Sequence, residues 1–253
     1  MNSNLKNQGY SVLSIALVMT GWQIASSFLP PVVLPSVPST LQKLLDMIAD
    51  PEMLRMILIT SKRLFAGLLI GLSAGVGFGI LTGKSKLARQ LILPIIGILQ
   101  TVPPISWLVL ALIWFGFNGK PSVFILVLSV LPIIAINVSE GFQRIDPGLI
   151  EMAKIYKFSR SKVFFHIVTP SVLPYFKSGC MNALGLGWKI AVMGEVLTTT
   201  DGIGGMLQSA RLNLETDAVM AWSILILLLF YLTRWLLEQL FQMGERYDID
   251  QTN

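Results

Sequence analysis

Residues 140–174 read EGFQRIDPGLIEMAKIYKFSRSKVFFHIVTPSVLP, a polar interruption between two strongly apolar blocks. Five of the chain's 19 basic residues lie in it (Arg144, Lys154, Lys157, Arg160 and Lys162), and a sixth, Lys177, follows directly. In a membrane chain, positive charge gathered in one loop assigns that loop to the cytoplasmic side. So dense a cluster also implies that the loop binds something.

The interruption reads as folded. Asp146-Pro147 places a capping carboxylate before a proline, whose missing N–H is no loss at a helix start. Leu149, Ile150, Ala153 and Tyr156 then share one face at helical spacing, with Glu151 and Lys154 alongside. Ser159 is placed to cap a second helix, with Phe158 and Val163 as its hydrophobic staple. Thr169-Pro170 is expected to end that helix. Two short amphipathic helices joined by a tight corner make a docking surface.

Composition supports a membrane setting. Of 253 residues 53% are hydrophobic and 13% charged, against roughly 25% charged in soluble domains. The mean hydropathy is +0.69. A formal net charge of +5 does not point to nucleic acid, because the positives are unevenly spread. The single cysteine, Cys180, excludes an internal disulfide and a cysteine metal cluster. The lone histidine, His166, reads as an ordinary residue of the polar loop. No metal site is expected.

Outward from the loop, six spans are expected: Tyr10–Pro30, Leu64–Thr82, a third within 90–119, Pro121–Ser139, Tyr175–Thr199 and Ala218–Leu237, each near the 20 residues a bilayer needs. Residues 1–9 and 241–253 are polar tails around a 10–240 membrane domain, and a polar, Gly-rich loop runs from the fifth span to Asp217. A cleaved signal peptide is disfavoured by the single Lys6 and the lack of a small-x-small site. After the prolines at 30, 31, 35 and 38, Ser39 and Gln42 suggest a capping box. Leu41, Leu44, Leu45 and Ile48 form an apolar stripe on a helix too short to span, which belongs at the outer membrane surface. Asp50-Pro51 starts the next helix.

The second span carries Gly67, Gly71, Gly75, Gly79 and Gly83 at every fourth position, with Ala74 and Gly77 beside them. Small residues at this spacing let another helix approach closely; the alternative is a helix that flexes during transport. Gly71-Leu72-Ser73-Ala74-Gly75 matches a nucleophile elbow only formally, because it lies mid-span with no histidine near. Gly83-Lys84-Ser85 lacks the first glycine of a phosphate loop, Phe78 standing in its place. In the third span Pro103-Pro104 removes two backbone donors, so the helix must kink or break. Broken helices at membrane depth line cavities, which makes Gln100, Pro103, Pro104 and Ser106 candidates for a translocation path; helix contacts are the alternative. With the amino terminus inside, cytoplasmic segments hold twelve basic residues, outer segments six, and Lys189 remains within a span. Both termini are therefore expected in the cytoplasm.

Several separated motifs now resemble a known family. Glu151-Met-Ala153, Lys157 and Ile167-Val-Thr-Pro170 are similar to the E-A-A-x3-G-x9-I-x-L-P loop of binding-protein-dependent ABC importer permeases. Thr101–Trp107, Ile113–Gly116, Asp146-Pro147, Leu184–Trp188 and Gly194-Glu195 resemble its nitrate/sulfonate/taurine branch, over about Leu41 to Leu240. The resemblance implies an all-α type I permease fold with six transmembrane helices, a short outer helix and two cytoplasmic coupling helices, in a bacterial cytoplasmic membrane. It also implies a homodimer, two ATPase subunits that bind ATP and Mg, and an external solute-binding protein; the chain itself is non-catalytic and cofactor-free. Asp146, Glu151, Ala153, Tyr156, Lys157, Ile167 and Pro170 fall in the coupling element. Met152, Lys157 and Thr169 depart from the pattern. Lys157 matters most, since it replaces a glycine expected in the left-handed conformation, at about 1–2 kcal/mol.

Lys189 and Glu195 are charges inside the fifth span, where each costs roughly 2.5–3.5 kcal/mol. Six residues apart, they lie about 120° round the helix and about 9 Å along it, poorly placed to pair with each other. Partners on another span or across the dimer are expected. Lys189 either biases the path toward an anion such as nitrate, a sulfonate or bicarbonate or, with Glu195, makes buried inter-helix bridges. A stand-alone secondary transporter, or import of a pyrimidine vitamin precursor, is the competing functional reading; no nucleophile–base pair supports an enzyme.

Overall fold

A computed structural model describes the backbone of residues 2–251 and the side chains of 9–10 and 13–243. The side chains of Lys6 and Arg246, two members of the charge tally, lie outside the described residues. All regular structure among the described residues is helical. Helices α1 (Asn2–Phe28) and α11 (Thr216–Gln251) extend into the polar ends of the sequence.

The core is three helices: α3 (Pro51–Lys84), α6 (Lys120–Gln143) and α9 (Thr169–Thr198). Asp50 caps α3 by accepting from Glu52 N at 2.9 Å, as the Asp50-Pro51 pair implies. Along α3, a Cβ at Gly67, Gly71, Gly75, Gly79 or Gly83 would meet Leu126, Val130, Ile134, Val138 or Phe142 at 2.5–3.0 Å. Each pair is offset by the same number of residues, so α3 and α6 run parallel and in register. A β-carbon at Gly75 would sit 2.9 Å from the Leu131 carbonyl oxygen, which is the close backbone approach that small residues permit. Gly77 has nothing within 4 Å and stands off this seam. Running the other way, α9 sets Gly194 against Ser122, Gly187 against Leu126 and Gly179 against Ile134.

Parallel α3 and α6 require the chain between them to return from one end to the other. It does so through α4 (Lys86–Thr101) and α5 (Pro104–Phe115), bent by 91° across Val102-Pro103. The proline pair breaks the helix where the sequence places the break. Among the described residues, three helices can cross a membrane by length and composition (Pro51–Lys84, Lys120–Gln143 and Thr216–Met243), or four with the bent pair. The apolar part of α1, Leu13–Phe28, is shorter.

Three local expectations are corrected. The short helix α2 (Val37–Ala49) is capped by Ser36, which accepts from Ser39 N at 3.2 Å, because Pro38 takes a first-turn position. Its stripe divides: Leu44 is buried, while Leu41, Leu45 and Ile48 are exposed. The expected loop before Asp217 contains a helix, α10 (Gly202–Leu212), started at Asp201.

Candidate functional site

The two ends of the bundle carry different chemistry. At one end, Lys84 lies over the Phe142 ring at 5.5 Å, and the segment between α6 and α9 emerges. It begins with α7 (Pro147–Ile155), capped by Asp146, whose Oδ1 accepts from Gly148 N at 2.8 Å. The corner then closes by two backbone bonds: Lys157 N donates to Lys154 O at 3.1 Å and Phe158 N to Ala153 O at 2.8 Å. This is the Schellman ending that glycine normally completes. Lys157 completes it with φ of 50°, so the left-handed corner survives the loss of glycine at a strain of about 1–2 kcal/mol.

Ser159 caps the short α8 (Arg160–Val163), accepting from Lys162 N at 3.3 Å. Phe158 does work beside that cap by lying 4.5 Å under the Lys162 ammonium. The helix does not stop at Thr169-Pro170. A π-helical turn, Phe164–Val168, carries the chain directly into α9, and Pro170 sits in the first turn of that helix, where its missing N–H is tolerated. His166 places Nδ1 3.2 Å from the Lys162 carbonyl and belongs to this local structure.

The expected apolar face also divides. Ala153 and Ile167 are 3% and 4% exposed and anchor the loop, whereas Leu149, Met152, Tyr156, Phe164 and Phe165 are exposed beside Glu151. These side chains form an exposed apolar patch edged by basic residues, a kind of surface at which interactions commonly occur.

At the other end a buried charge cluster joins three helices. Arg63 precedes the uncharged run of α3, Leu64–Gly83, about 30 Å long. Its Nη1 donates to Glu195 Oε1 at 2.8 Å and its Nη2 to Asp201 Oδ1 at 2.7 Å. Glu195 is fully buried and also accepts from Thr60 Oγ1 at 2.7 Å and Gly204 N at 3.0 Å. Thr60 in turn accepts from Ile203 N at 2.8 Å. A Cβ at Gly204 would fall 2.4 Å from Glu195 Cβ, and Gly202 has φ of +76°, so these glycines let the start of α10 close over the carboxylate. Asp201 lies outside the spans. Burial opposes its charge, but hydrogen bonds from the Thr199 hydroxyl and Arg63 outweigh it and hold the carboxyl below its usual range.

Glu195 thus has the partner on another helix that its spacing demands, at the bundle's edge rather than its middle. Sequence reading counts Arg63 only as an outer charge and misses Thr60 and Gly204. The available signal is that a carboxylate in an apolar helix needs a cation at the same depth. Lys189 is exposed and has no ion-pair partner among the described residues. It lines a groove of about 330 Å³ with Trp188, Ser223 and Phe230. Gln100 and Pro104 meet in a second groove beside the bend, which excludes the exposed Ser106.

Residues 67–242 match the family described as binding-protein-dependent transport system inner membrane component. The chain belongs to this family. It is a non-catalytic, multi-pass permease of the inner membrane, which works with an ATPase and a binding protein. It is 34% identical over 214 residues to SsuC of Escherichia coli, a permease named for aliphatic sulfonates, covering 84% of this chain and 81% of that one. It is 29% identical over 230 residues to the E. coli taurine transport system permease protein TauC, with 88% and 83% covered. The nitrate import permease protein NrtB of Leptolyngbya laminosa is 34% identical over 149 residues, or 59% of this chain and 53% of NrtB. Among solved structures, the inward-facing MetNI methionine ABC transporter superposes with a TM-score of 0.64 at 19% identity, over 76% of this chain and 95% of that one. An amino acid ABC transporter superposes at 0.60, also at 19% identity, over 81% and 98%. Both likenesses concern the fold.

Proposed function

We propose that this chain forms the membrane path of an ATP-driven importer of a small oxyanion such as a sulfonate, taurine or nitrate. It acts as a homodimer gripped from the cytoplasm by two ATPase subunits and fed from outside by a binding protein. The observation that carries the reading is the exposed apolar corner of α7 and the π turn, set among six basic residues on a chain with no nucleotide motif of its own. The corner is rigidly closed and continuous with α9, so a push on it reaches the core helices. Membership in the permease family and the sulfonate, taurine and nitrate relatives support the solute class.

In this reading six spans cross the bilayer: α1, α3, the bent α4–α5 pair, α6, α9 and α11. Both termini then face the cytoplasm, together with the coupling loop, in keeping with the distribution of basic residues. Glu151 and Tyr156 contact the ATPase, while Asp146, Ala153, Lys157, Ile167 and Pro170 hold the shape of the contact. Gln100, Pro103, Pro104, Ser106 and Lys189 border the path, and Glu195 braces its outer end.

Proteoliposomes holding the permease, its ATPase and its binding protein test this, with taurine and nitrate offered in turn. Uptake should require ATP and every partner. Transport by this chain alone along an ion gradient would overturn the proposal.

A further inference from the structure

The bend between α4 and α5 opens a groove of about 410 Å³ whose wall includes Gln100, Pro104, Trp107, Ser129 and Leu186. Its polar atoms are unevenly used. Ser129 spends its hydroxyl on the Ile125 carbonyl at 2.8 Å. The exposed amide of Gln100 has no partner among the described residues. The indole Nε1 of Trp107 is buried in the groove's wall with no acceptor, and an indole N–H can only donate. Two prolines beside the break offer no N–H of their own.

Lipid cannot satisfy such groups, and irregular backbone at membrane depth is tolerated only where it is covered by protein or lines water. Leu186 of this groove and Lys189 are three residues apart on α9, about 60° round the helix and about 4.5 Å along it. Lys189 therefore stands within one helical turn of this groove, although it lines the neighbouring one against α11, and the groove's own unspent donors, Gln100 and Trp107, are left seeking an acceptor.

We propose that this groove is a water-filled subsite on the import path, where Gln100 and Trp107 donate hydrogen bonds to the oxygens of an oxyanion. The inference rests on the importer reading above and adds the groups that recognise the solute. Trp107 acts by a small side-chain motion into the groove, which gives its indole N–H the acceptor it lacks within this chain.

Cysteine labelling decides whether the groove is wet, whatever drives transport. In full complexes carrying Cys180→Ala, Gln100→Cys should react with a charged methanethiosulfonate at least about tenfold faster than Leu69→Cys, whose side chain lies on the face of α3 opposite Gly67 and Gly71. Equal, slow reaction at both positions would overturn the proposal. In the reconstituted importer, Trp107→Phe keeps the ring and removes the donor. It should lower uptake of taurine or nitrate, whichever the wild type carries, by about tenfold at concentrations below KM, the usual effect of one lost hydrogen bond to a charged group. ATP hydrolysis stimulated by the loaded binding protein should persist. Unchanged uptake by Trp107→Phe would refute its role as donor. A wild type that carries neither solute yet labels fast at position 100 would count against the importer reading and leave the wet groove standing.

Discussion

Arg63 and Glu195 meet at 2.8 Å, on helices that run in opposite directions, at the end of the bundle farthest from the coupling loop. Glu195 is wholly buried and Arg63 partly so, which makes the pair more sensitive to loss of the carboxylate alone than to replacement of both. Glu195→Ala should lower stability by about 1–3 kcal/mol, because it leaves Thr60, Gly204 N and one side of Arg63 without their acceptor while Asp201 still pairs the other side of the guanidinium. Combining Glu195→Met with Arg63→Met should cost much less than the two single changes added together. Thermal unfolding in detergent reads the difference; strictly additive costs would mean that the two side chains do not act as a pair.

The glycine seam gives a second contrast within a single helix. At Gly75 a methyl group would sit 2.7 Å from Ile134 Cβ, whereas at Gly77 it would meet nothing within 4 Å. Gly75→Ala should destabilise by about 1–3 kcal/mol through overpacking. Gly77→Ala should be neutral or stabilise by up to about 1 kcal/mol. Measured uptake separates packing from flexing: Gly77→Ala that folds well yet transports slowly would favour a helix that must bend.

Lys157 holds a conformation that glycine reaches without strain. Lys157→Gly should relieve about 1 kcal/mol and slow hydrogen exchange at the amides of residues 157 and 158 about fivefold. Faster exchange would show that contacts of the lysine side chain hold the corner.

Lys189→Met removes the only cation of its groove without touching an ion pair among the described residues. Uptake of taurine or nitrate should show a KM raised about tenfold, in line with the loss of one charge-assisted contact. A variant with unchanged rate and apparent affinity would take Lys189 off the path.

The fold was legible wherever a local rule acted alone. Asp50-Pro51 and Asp146-Pro147 set helix starts, the proline pair at 103–104 sets the break, and the glycine period sets the close seam between α3 and α6. Reading failed where tertiary contact overrode local preference. Pro170 was absorbed into a first turn because a π turn delivers the chain there already coiled. The glycines of α10 looked like loop but serve to bring its backbone onto Glu195. Arg63 could not be singled out because its partner lies 132 residues away. The coupling residues were legible as a group, yet only packing divides the buried Ala153 and Ile167 from the exposed Glu151 and Tyr156.

In the proposed importer a separate ATPase grips the exposed corner of α7. Co-purification of that ATPase with the permease, comparing the wild type with Glu151→Lys, measures the grip directly. Glu151 is exposed and forms no ion pair among the described residues, so its reversal should leave the permease folded. The ATPase should accompany the wild type and fall away from the variant, with uptake lost in parallel. An ATPase that remains bound to Glu151→Lys, with uptake intact, would contradict the coupling role of this surface.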